Sequence, residues 1–584
     1  MINSGTAGTM PGQTDSDGTV ARARSHSIAD LLRRTAQREP DRIAIVYREL
    51  RQTYADLDAM VSRTAGALAA RGVTAGDRIA IFSHNNHAFV VCYFALARLG
   101  AVSVPVNFML GAGEVGYVLD HSGAIGLIAE DALIPVAERA AGVAGLAVRA
   151  VIAEHGGDWP GGPAGWEPVT DWMAFDGPAA PDVVIGDDDL AQLVYTSGTE
   201  SRPKGAMLTH RSLIAQYVSC VTDGEMTGDD IEVHSLPLYH CAQLHCFLTP
   251  GIYLGATNVV LPGADPALIL ATIEAERATK LFCPPTVWIS LLRHPDFGRR
   301  DLSSLGKGYY GASIMPVEVL KEIAARLPRV RLFNFYGQTE MGPLATVLKP
   351  ADQVRKAGSA GRAALNVETR VVGEDGRPVA AGEVGEIVHR SPHAMLGYWR
   401  DPERTAAAFA HGWFHSGDLG VLDSDGYLTV VDRKKDMIKT GGENVASREV
   451  EEAIYQHPAV AEVAVFGLPH PRWIEAVTAA VVVRDGQAVT EEELIAHCRE
   501  RLGSFKVPKH LVLVSELPKN ASGKLLKREL RATIAPPWPA GLSRPGGSSC
   551  RAGGRCWPAP RRPGRWRRLP VPAGPEPGPA RPAR

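Results

Sequence analysis

Apolar residues along the first two thirds of the chain follow two alternating rhythms. Short β-branched runs such as "RIAIVY" (Arg42–Tyr47), "DRIAIFS" and "AVSVPVN" are separated by longer amphipathic stretches. One of these, "TYADLDAMVSRTAGALAARG", repeats its apolar positions at intervals of three and four, as a helix with one buried face requires. A further helix is predicted over "HAFVVCYFALARLG". The strand–helix–strand order predicts parallel sheets covered by helices, an α/β fold. The rhythm resumes after Ala191 with "LAQLVYTSGT", "GATNVVLP", "ATKLFCPP" and "RVRLFNFYG". Between about Val354 and Asp432 it gives way to short strands and glycine-rich turns, which predict a small antiparallel barrel or sheet. A final α+β block, from the helix "SREVEEAIYQHP" through "EVAVFGL", "VTAAVVV", "TEEELIAHCRERL" and "HLVLVSEL", ends near Ile534.

At 584 residues the chain exceeds the size at which one core stops growing, so several domains are expected. No apolar stretch is long enough to predict a membrane span. The opening "MINSGTAGTMPGQTDSDG" lacks the basic and apolar regions of a secretory signal and reads as a leader without structure. The eight cysteines contain no C-x-x-C pair. They predict buried free thiols in a reducing cytoplasm rather than a zinc or redox site. From Gly541 onward ten arginines face one glutamate, a formal +9. The rest of the chain is therefore about −11 against a whole-chain charge of −2, which argues against nucleic acid as a partner. This Pro/Gly/Arg-rich tail shows neither helical nor strand period and predicts disorder.

The candidate chemistry begins at "YTSGTESRPKGAMLTH", Tyr195–His210, a run of hydroxyls, glycines and one lysine suited to holding phosphate. It is not a P-loop: Pro203 stands where that motif needs its second glycine, and Gly205 where its Ser/Thr should follow Lys204. Further along come "LPLYH", "YGQTE", "HSGDLG", "VDRKKDMIKTGGENV" and "PKNASGKLLKREL". In this order and spacing, from about Ile28 to about Leu530, they resemble the adenylate-forming superfamily of acyl-CoA synthetases, peptide-synthetase adenylation domains and luciferases.

The resemblance implies a large N-terminal domain of two α/β subdomains with parallel-type sheets and a small β-barrel. A smaller, mobile α+β C-terminal domain is implied after it. The expected boundaries are a leader over 1–24, an AMP-binding domain over 25–432, the C-terminal domain over 433–534 and the tail over 535–584. It implies that Thr196, Ser197, Gly198, Thr199 and Lys204 hold the phosphates of ATP. Gly311, Ala312 and Ser313, with Tyr336, Gly337 and Gln338, are implied to line the adenine. Thr339 would touch the α-phosphate, and Glu340 with Thr196 would bind Mg²⁺, which favours hard oxygen ligands. Asp418 would accept from both ribose hydroxyls, Arg433 would assist it, and Lys435 would mark the hinge. Glu200-Ser201 departs from the Thr-Gly of many relatives, and Glu200 is expected to point outward or to meet Arg202.

Lys524 has the family position of the cation that stabilises attack of a carboxylate on the α-phosphate. After rotation of the C-terminal domain, Lys439, Gly441 and Gly442 would receive the pantetheine arm of CoA. "PLYHCAQLHCFLTP" offers no acid to pair an ammonium, so an amino acid is not the expected substrate. His240 falls where relatives place a gate, beside an apolar pocket expected to include Leu244, Phe247, Ala312, Met341, Gly342 and Pro343. The expected activity is ATP- and Mg²⁺-dependent joining of a medium- or long-chain fatty acid to CoA through an acyl-AMP. The alternatives are an aryl acid of the cinnamate or benzoate type, or delivery to the phosphopantetheine of an acyl carrier protein.

Lys524→Ala is expected to abolish formation of the adenylate while preformed acyl-AMP is still converted to thioester. A bulky residue at Gly442 is expected to give the reverse. Pyrophosphate exchange and single-turnover thioester assays separate the two, and equal collapse of both halves in either variant contradicts the division of labour.

Overall fold

The computed structural model describes residues 19–140, 142–154, 164–196, 203–313, 315–441, 443–520, 523 and 525–538. Most of the leader, the tail beyond Trp538, and Ser197, Gly198, Thr199, Glu200, Gly442 and Lys524 lie outside these residues. The chain divides into two compact units. The first comprises Met1–Thr369, His389–His415 and Lys519–Lys524, the second Arg370–Val388, Ser416–Pro518 and Leu525–Arg584.

The first unit is built on two large sheets. A seven-stranded sheet runs in the order Glu167–Pro168, Val148–Ile152, Gly126–Glu130, Arg78–Phe82, Val102–Val106, Leu190–Thr196, Lys204–Thr209. All its neighbours are parallel except the last pair, which forms an antiparallel hairpin. The nine-stranded sheet has a parallel centre of Ile43–Tyr47, Thr257–Val260, Ile231–His234, Lys280–Phe282, Lys307–Gly311 and Arg331–Gly337. Antiparallel strands close both edges.

The predicted helices appear as Tyr54–Ala70 and His87–Arg98. Thr53 and Asp56 form a reciprocal cap that starts the first of these, satisfying backbone donors that would otherwise be orphaned. The second is buried along nearly its whole length, from Ala88 to Ala97, which places it inside the core rather than on it. One continuous core spans residues from Ile28 to Phe414. The six described cysteines are buried free thiols, as the sequence predicts. Among the described residues no helix is long and apolar enough to cross a membrane.

The second unit holds most of a four-stranded sheet, Glu368–Val372, Gly385–Arg390, Phe414–Leu422 and Leu428–Arg433. Its five-stranded sheet pairs Val460–His470 with Ile474–Val483 antiparallel over most of their length. On the other edge of Ile474–Val483, His510–Leu513 joins in parallel and the hairpin Ile438–Thr440 and Glu443–Val445 pairs through Thr440 with Ile474. Trp538 donates from its indole N–H to Pro469 O (2.8 Å), so ordered packing in this unit extends past Ile534.

The first unit also buries a charged pair. Lys280, 1% exposed, lies 2.8 Å from the Glu232 carboxylate, and its ammonium sits over the Phe247 and Tyr309 rings. Burial pushes the Glu232 carboxyl up to about 7, with Lys280 opposing. Removing one partner of such a pair strands the other charge out of water, which costs about 3–5 kcal/mol. Lys280→Met is therefore expected to destabilise the protein by about that amount, and the Glu232→Gln/Lys280→Met double variant to recover most of it. Denaturant unfolding of the three proteins checks this.

Candidate active site at the carboxyl ends of the parallel strands

Ligands of open parallel sheets gather where the strands' carboxyl ends meet. In the nine-stranded sheet these ends carry Gly311–Ser313 and Tyr336–Glu340, two of the segments singled out in the sequence. Gly311 ends its strand opposite Phe335, and a Cβ on it would stand 2.3 Å from Phe335 O. Ala312 and Ser313 follow exposed, Ala312 in the left-handed region at φ 62°. On the neighbouring strand Tyr336 is half-buried, and its hydroxyl accepts from Gln338 Nε2 at 2.9 Å. Gly337 comes next at a register shift against Leu344–Leu348. A Cβ there would lie 1.9 Å from Pro343 O, so no larger residue fits this path.

The turn Thr339–Met341 then presents Thr339 and Glu340. Thr339 Oγ1 is 3.1 Å from Cys241 Sγ. The Glu340 carbonyl accepts from Met395 N (2.8 Å), and its Oε1 accepts from the Tyr398 hydroxyl, also 2.8 Å. His240, half-buried beside Cys241, accepts at Nδ1 from Ala242 N at 3.2 Å and so caps the helical turn that follows. That turn continues into a π-helical stretch, Leu244–Leu248. Leu244, Phe247 and Met341 are fully buried members of the core. Phe247 stacks on Phe282 at 4.3 Å and on Phe335 at 5.6 Å, with Tyr309 edge-on at 5.2 Å.

The phosphate-loop candidates flank the hairpin of the seven-stranded sheet. Thr196 faces Lys204 across the pair, and both are half-buried. One helix, Ala112–Ser122, reaches both stems of this loop. The Tyr117 hydroxyl donates to Pro203 O (3.1 Å), while His121 Nδ1 shares a hydrogen bond with the Tyr195 hydroxyl (2.8 Å). Burial lowers the His121 pKa and raises that of Tyr195, so both rest neutral near pH 7. Residues Met395–Trp399 run beside the second stem: Leu396 N donates to Met207 O, and Trp399 N to Gly205 O. Lys204 Nζ lies 4.5 Å from the centre of the Tyr398 ring. Tyr117, His121 and Tyr398 were not anticipated from the sequence. Tyr117 and His121 share the i, i+4 spacing of one helix face, the only local trace they leave there.

Lys524 itself is outside the described residues, but Gly523 is not. Its carbonyl accepts from Thr286 Oγ1 (3.1 Å), on the helix that follows strand Lys280–Phe282. Gly523 has φ 78°, and a Cβ there would meet Thr286 Oγ1 at 2.7 Å.

In the second unit Asp418 and Arg433 are register partners on adjacent strands, with Arg433 Nε 3.5 Å from Asp418 Oδ1. Asp418 is buried, and its N–H donates to Ser416 Oγ. Lys435 is exposed. Lys439 and Gly441 lie on one hairpin, Lys439 N bonded to Glu475 Oε2 (2.7 Å) and Gly441 N to Trp473 O (3.0 Å).

Among the described residues no three His, Cys, Asp or Glu side chains converge as a metal cage. Glu340 offers a single hard carboxylate. That donor set suits a magnesium ion that arrives with a triphosphate and keeps phosphate and water as most of its ligands.

A profile described as AMP-binding enzyme matches residues 32–399, and one described as AMP-binding enzyme C-terminal domain matches 449–524. The chain belongs to this family of adenylate-forming enzymes and is an AMP-forming acid–thiol ligase. It is 39% identical over 498 residues to a feruloyl-CoA synthase of Amycolatopsis sp, covering 85% of this chain and 97% of the relative. A long-chain-fatty-acid–CoA ligase of Mycobacterium tuberculosis is 35% identical over 492 residues, covering 83% of this chain and 93% of the relative. The crystal structure of ATP-bound MatB from Rhodopseudomonas palustris superposes with a TM-score of 0.78 at 32% identity, covering 86% of this chain and 98% of that one.

Gly337→Ala is expected to abolish binding of ATP, measured by calorimetry, because the strand end must move to admit the methyl group. Unaltered ATP affinity in this variant would show that the Tyr336–Glu340 turn does not shape the nucleotide site.

Proposed function

We propose that this enzyme joins a compact aryl-substituted carboxylic acid to CoA. The observation that carries the choice of acid is the packing of Phe247. A long acyl chain needs a channel past Leu244 and Phe247, and there Phe247 is fully buried in a stack with Phe282 and Phe335. A compact flat ring needs no such channel. Similarity to a feruloyl-CoA synthase supports the same reading. The second reading, a medium- or long-chain fatty acid, draws on the likeness to a long-chain-fatty-acid–CoA ligase.

In the proposed reaction a carboxylate oxygen attacks the α-phosphorus of ATP, and the bond to pyrophosphate breaks. Lys204, with the hydroxyl run Thr196–Thr199, receives the departing phosphates, and Glu340 with Thr196 holds the magnesium that accompanies them. Lys524 offsets the charge that accumulates as two anions approach. Tyr336 and Gly311–Ser313 take the adenine, Asp418 and Arg433 the ribose, and Thr339 the α-phosphate. In the second step the CoA thiol, guided by Lys439, Gly441 and Gly442, attacks the acyl carbonyl. The thiol proton is lost and AMP departs. His240 borders the acid, and Lys435 serves the hinge between the two steps.

The test is pyrophosphate release with ferulate, cinnamate, benzoate, decanoate and palmitate, followed by thioester formation with free CoA or a loaded carrier protein. Aryl acids are expected to exceed both fatty acids at least tenfold in kcat/KM, with free CoA as acceptor. Preference for palmitate overturns the proposed acid class, and transfer only to the carrier overturns the proposed acceptor.

A further inference from the structure

Tyr398 touches two groups of opposite charge at the phosphate end of the site. Its hydroxyl donates to Glu340 Oε1 at 2.8 Å, and its ring face lies 4.5 Å from Lys204 Nζ. The residue is 7% exposed, and its backbone is fixed from both sides. Tyr398 N–H donates to Thr405 Oγ1 (2.9 Å), and Tyr398 bridges antiparallel to Ala206. Flanking Gly397 and Trp399 bond the backbone of Met207 and Gly205. Glu340 is tied to the same segment through Met395 N.

From this geometry we infer that Tyr398 is a positioning residue. It aims the Glu340 carboxylate at the metal of Mg·ATP, holds Lys204 over its ring for the departing phosphates, and separates the two. The inference rests on the metal and phosphate roles proposed above. A lysine and a glutamate at the same site, both needed by a phosphate ligand, neutralise each other if they pair directly. Among the described residues Lys204 meets the ring and Glu340 the hydroxyl, and no ion pair joins the two. The aromatic ring gives the ammonium a partner of moderate strength that phosphate can outcompete. The hydroxyl holds one carboxylate oxygen through a charge-assisted hydrogen bond and leaves the other oriented for the cation.

The test uses α,β-methylene-ATP, which binds without reacting, and titrates free Mg²⁺ in the absence of any acid. Tyr398→Phe keeps the ring and loses the hydroxyl. It is expected to need roughly tenfold more free Mg²⁺ for half-maximal binding, the scale of one hydrogen bond to a charged group. Its affinities for AMP and for metal-free pyrophosphate are expected to match the unaltered enzyme. Tyr398→Leu also removes the ring and is expected to weaken metal-free pyrophosphate as well. Glu340→Gln is expected to reproduce the Mg²⁺ shift, with the Tyr398→Phe/Glu340→Gln double variant no worse than Glu340→Gln alone.

An unchanged Mg²⁺ requirement in Tyr398→Phe overturns the proposal, as does full additivity in the double variant. Loss of AMP affinity in Tyr398→Phe also overturns it, since that marks a general structural role. Because the probe contains no acid, an enzyme that shows these shifts but activates none of the acids above refutes the proposed substrate and not the role of Tyr398.

Discussion

The close approach of two strand ends governs the rest of the site. Lys307–Gly311 and Arg331–Gly337 run parallel and in register, and each finishes on a glycine with no room for a side chain. Gly311 lies against the Phe335 carbonyl, and Gly337 against the carbonyl of Pro343. The two backbones can therefore open into loops at the same level, where Ala312–Ser313 and Tyr336–Glu340 emerge side by side. A methyl group at either position would drive them apart, and the turn that offers Thr339 and Glu340 would move with them.

Around this centre the protein uses packing to fix orientation and polar contacts to fix distance. The aromatic ladder of Phe247, Phe282, Phe335, Tyr309 and Phe333 fills the core beneath the strand ends, so they cannot sag inward. At the Tyr195–His210 hairpin, the helix Ala112–Ser122 and the segment Met395–Trp399 hold the stems of the loop from different directions. Residues far apart in the chain meet there because sheet and helix are rigid while the connecting loops are short. Such a scaffold can present charged groups without letting them pair with one another, a condition for binding a polyanion strongly and releasing it.

Much of this was legible beforehand. The alternation around Arg42–Val106 yields strands at Ile43–Tyr47, Arg78–Phe82 and Val102–Val106 with the expected helices between them. The motifs at Tyr195, Tyr336, Asp418 and Lys439 fall on strand ends and hairpins, where backbone groups and side chains can reach a ligand. Phe247 was legible only as apolar. A hydrophobic residue beside a site reads alike whether it lines an opening or closes it, and three-dimensional packing alone separates the two. Tyr398 was silent for a related reason: its partners are 58 positions and almost 200 positions away, and no local pattern records them.

Hydrophobic period and turn residues were enough to indicate which segments become strands and which become helices, and the resemblance of the ordered motifs to the adenylate-forming superfamily indicated the chemistry. These are properties of short stretches, determined by backbone geometry and by the side chains the chemistry requires. Tertiary structure decided the partnerships. Ile43–Tyr47 and Arg78–Phe82 are consecutive parallel-type strands, yet they enter different sheets, the first beside Thr257–Val260 and the second between Gly126–Glu130 and Val102–Val106. Two alike β-branched strands carry no local label naming their neighbours. The choice falls to whichever arrangement buries both faces of every strand at once, and that is a property of the whole chain.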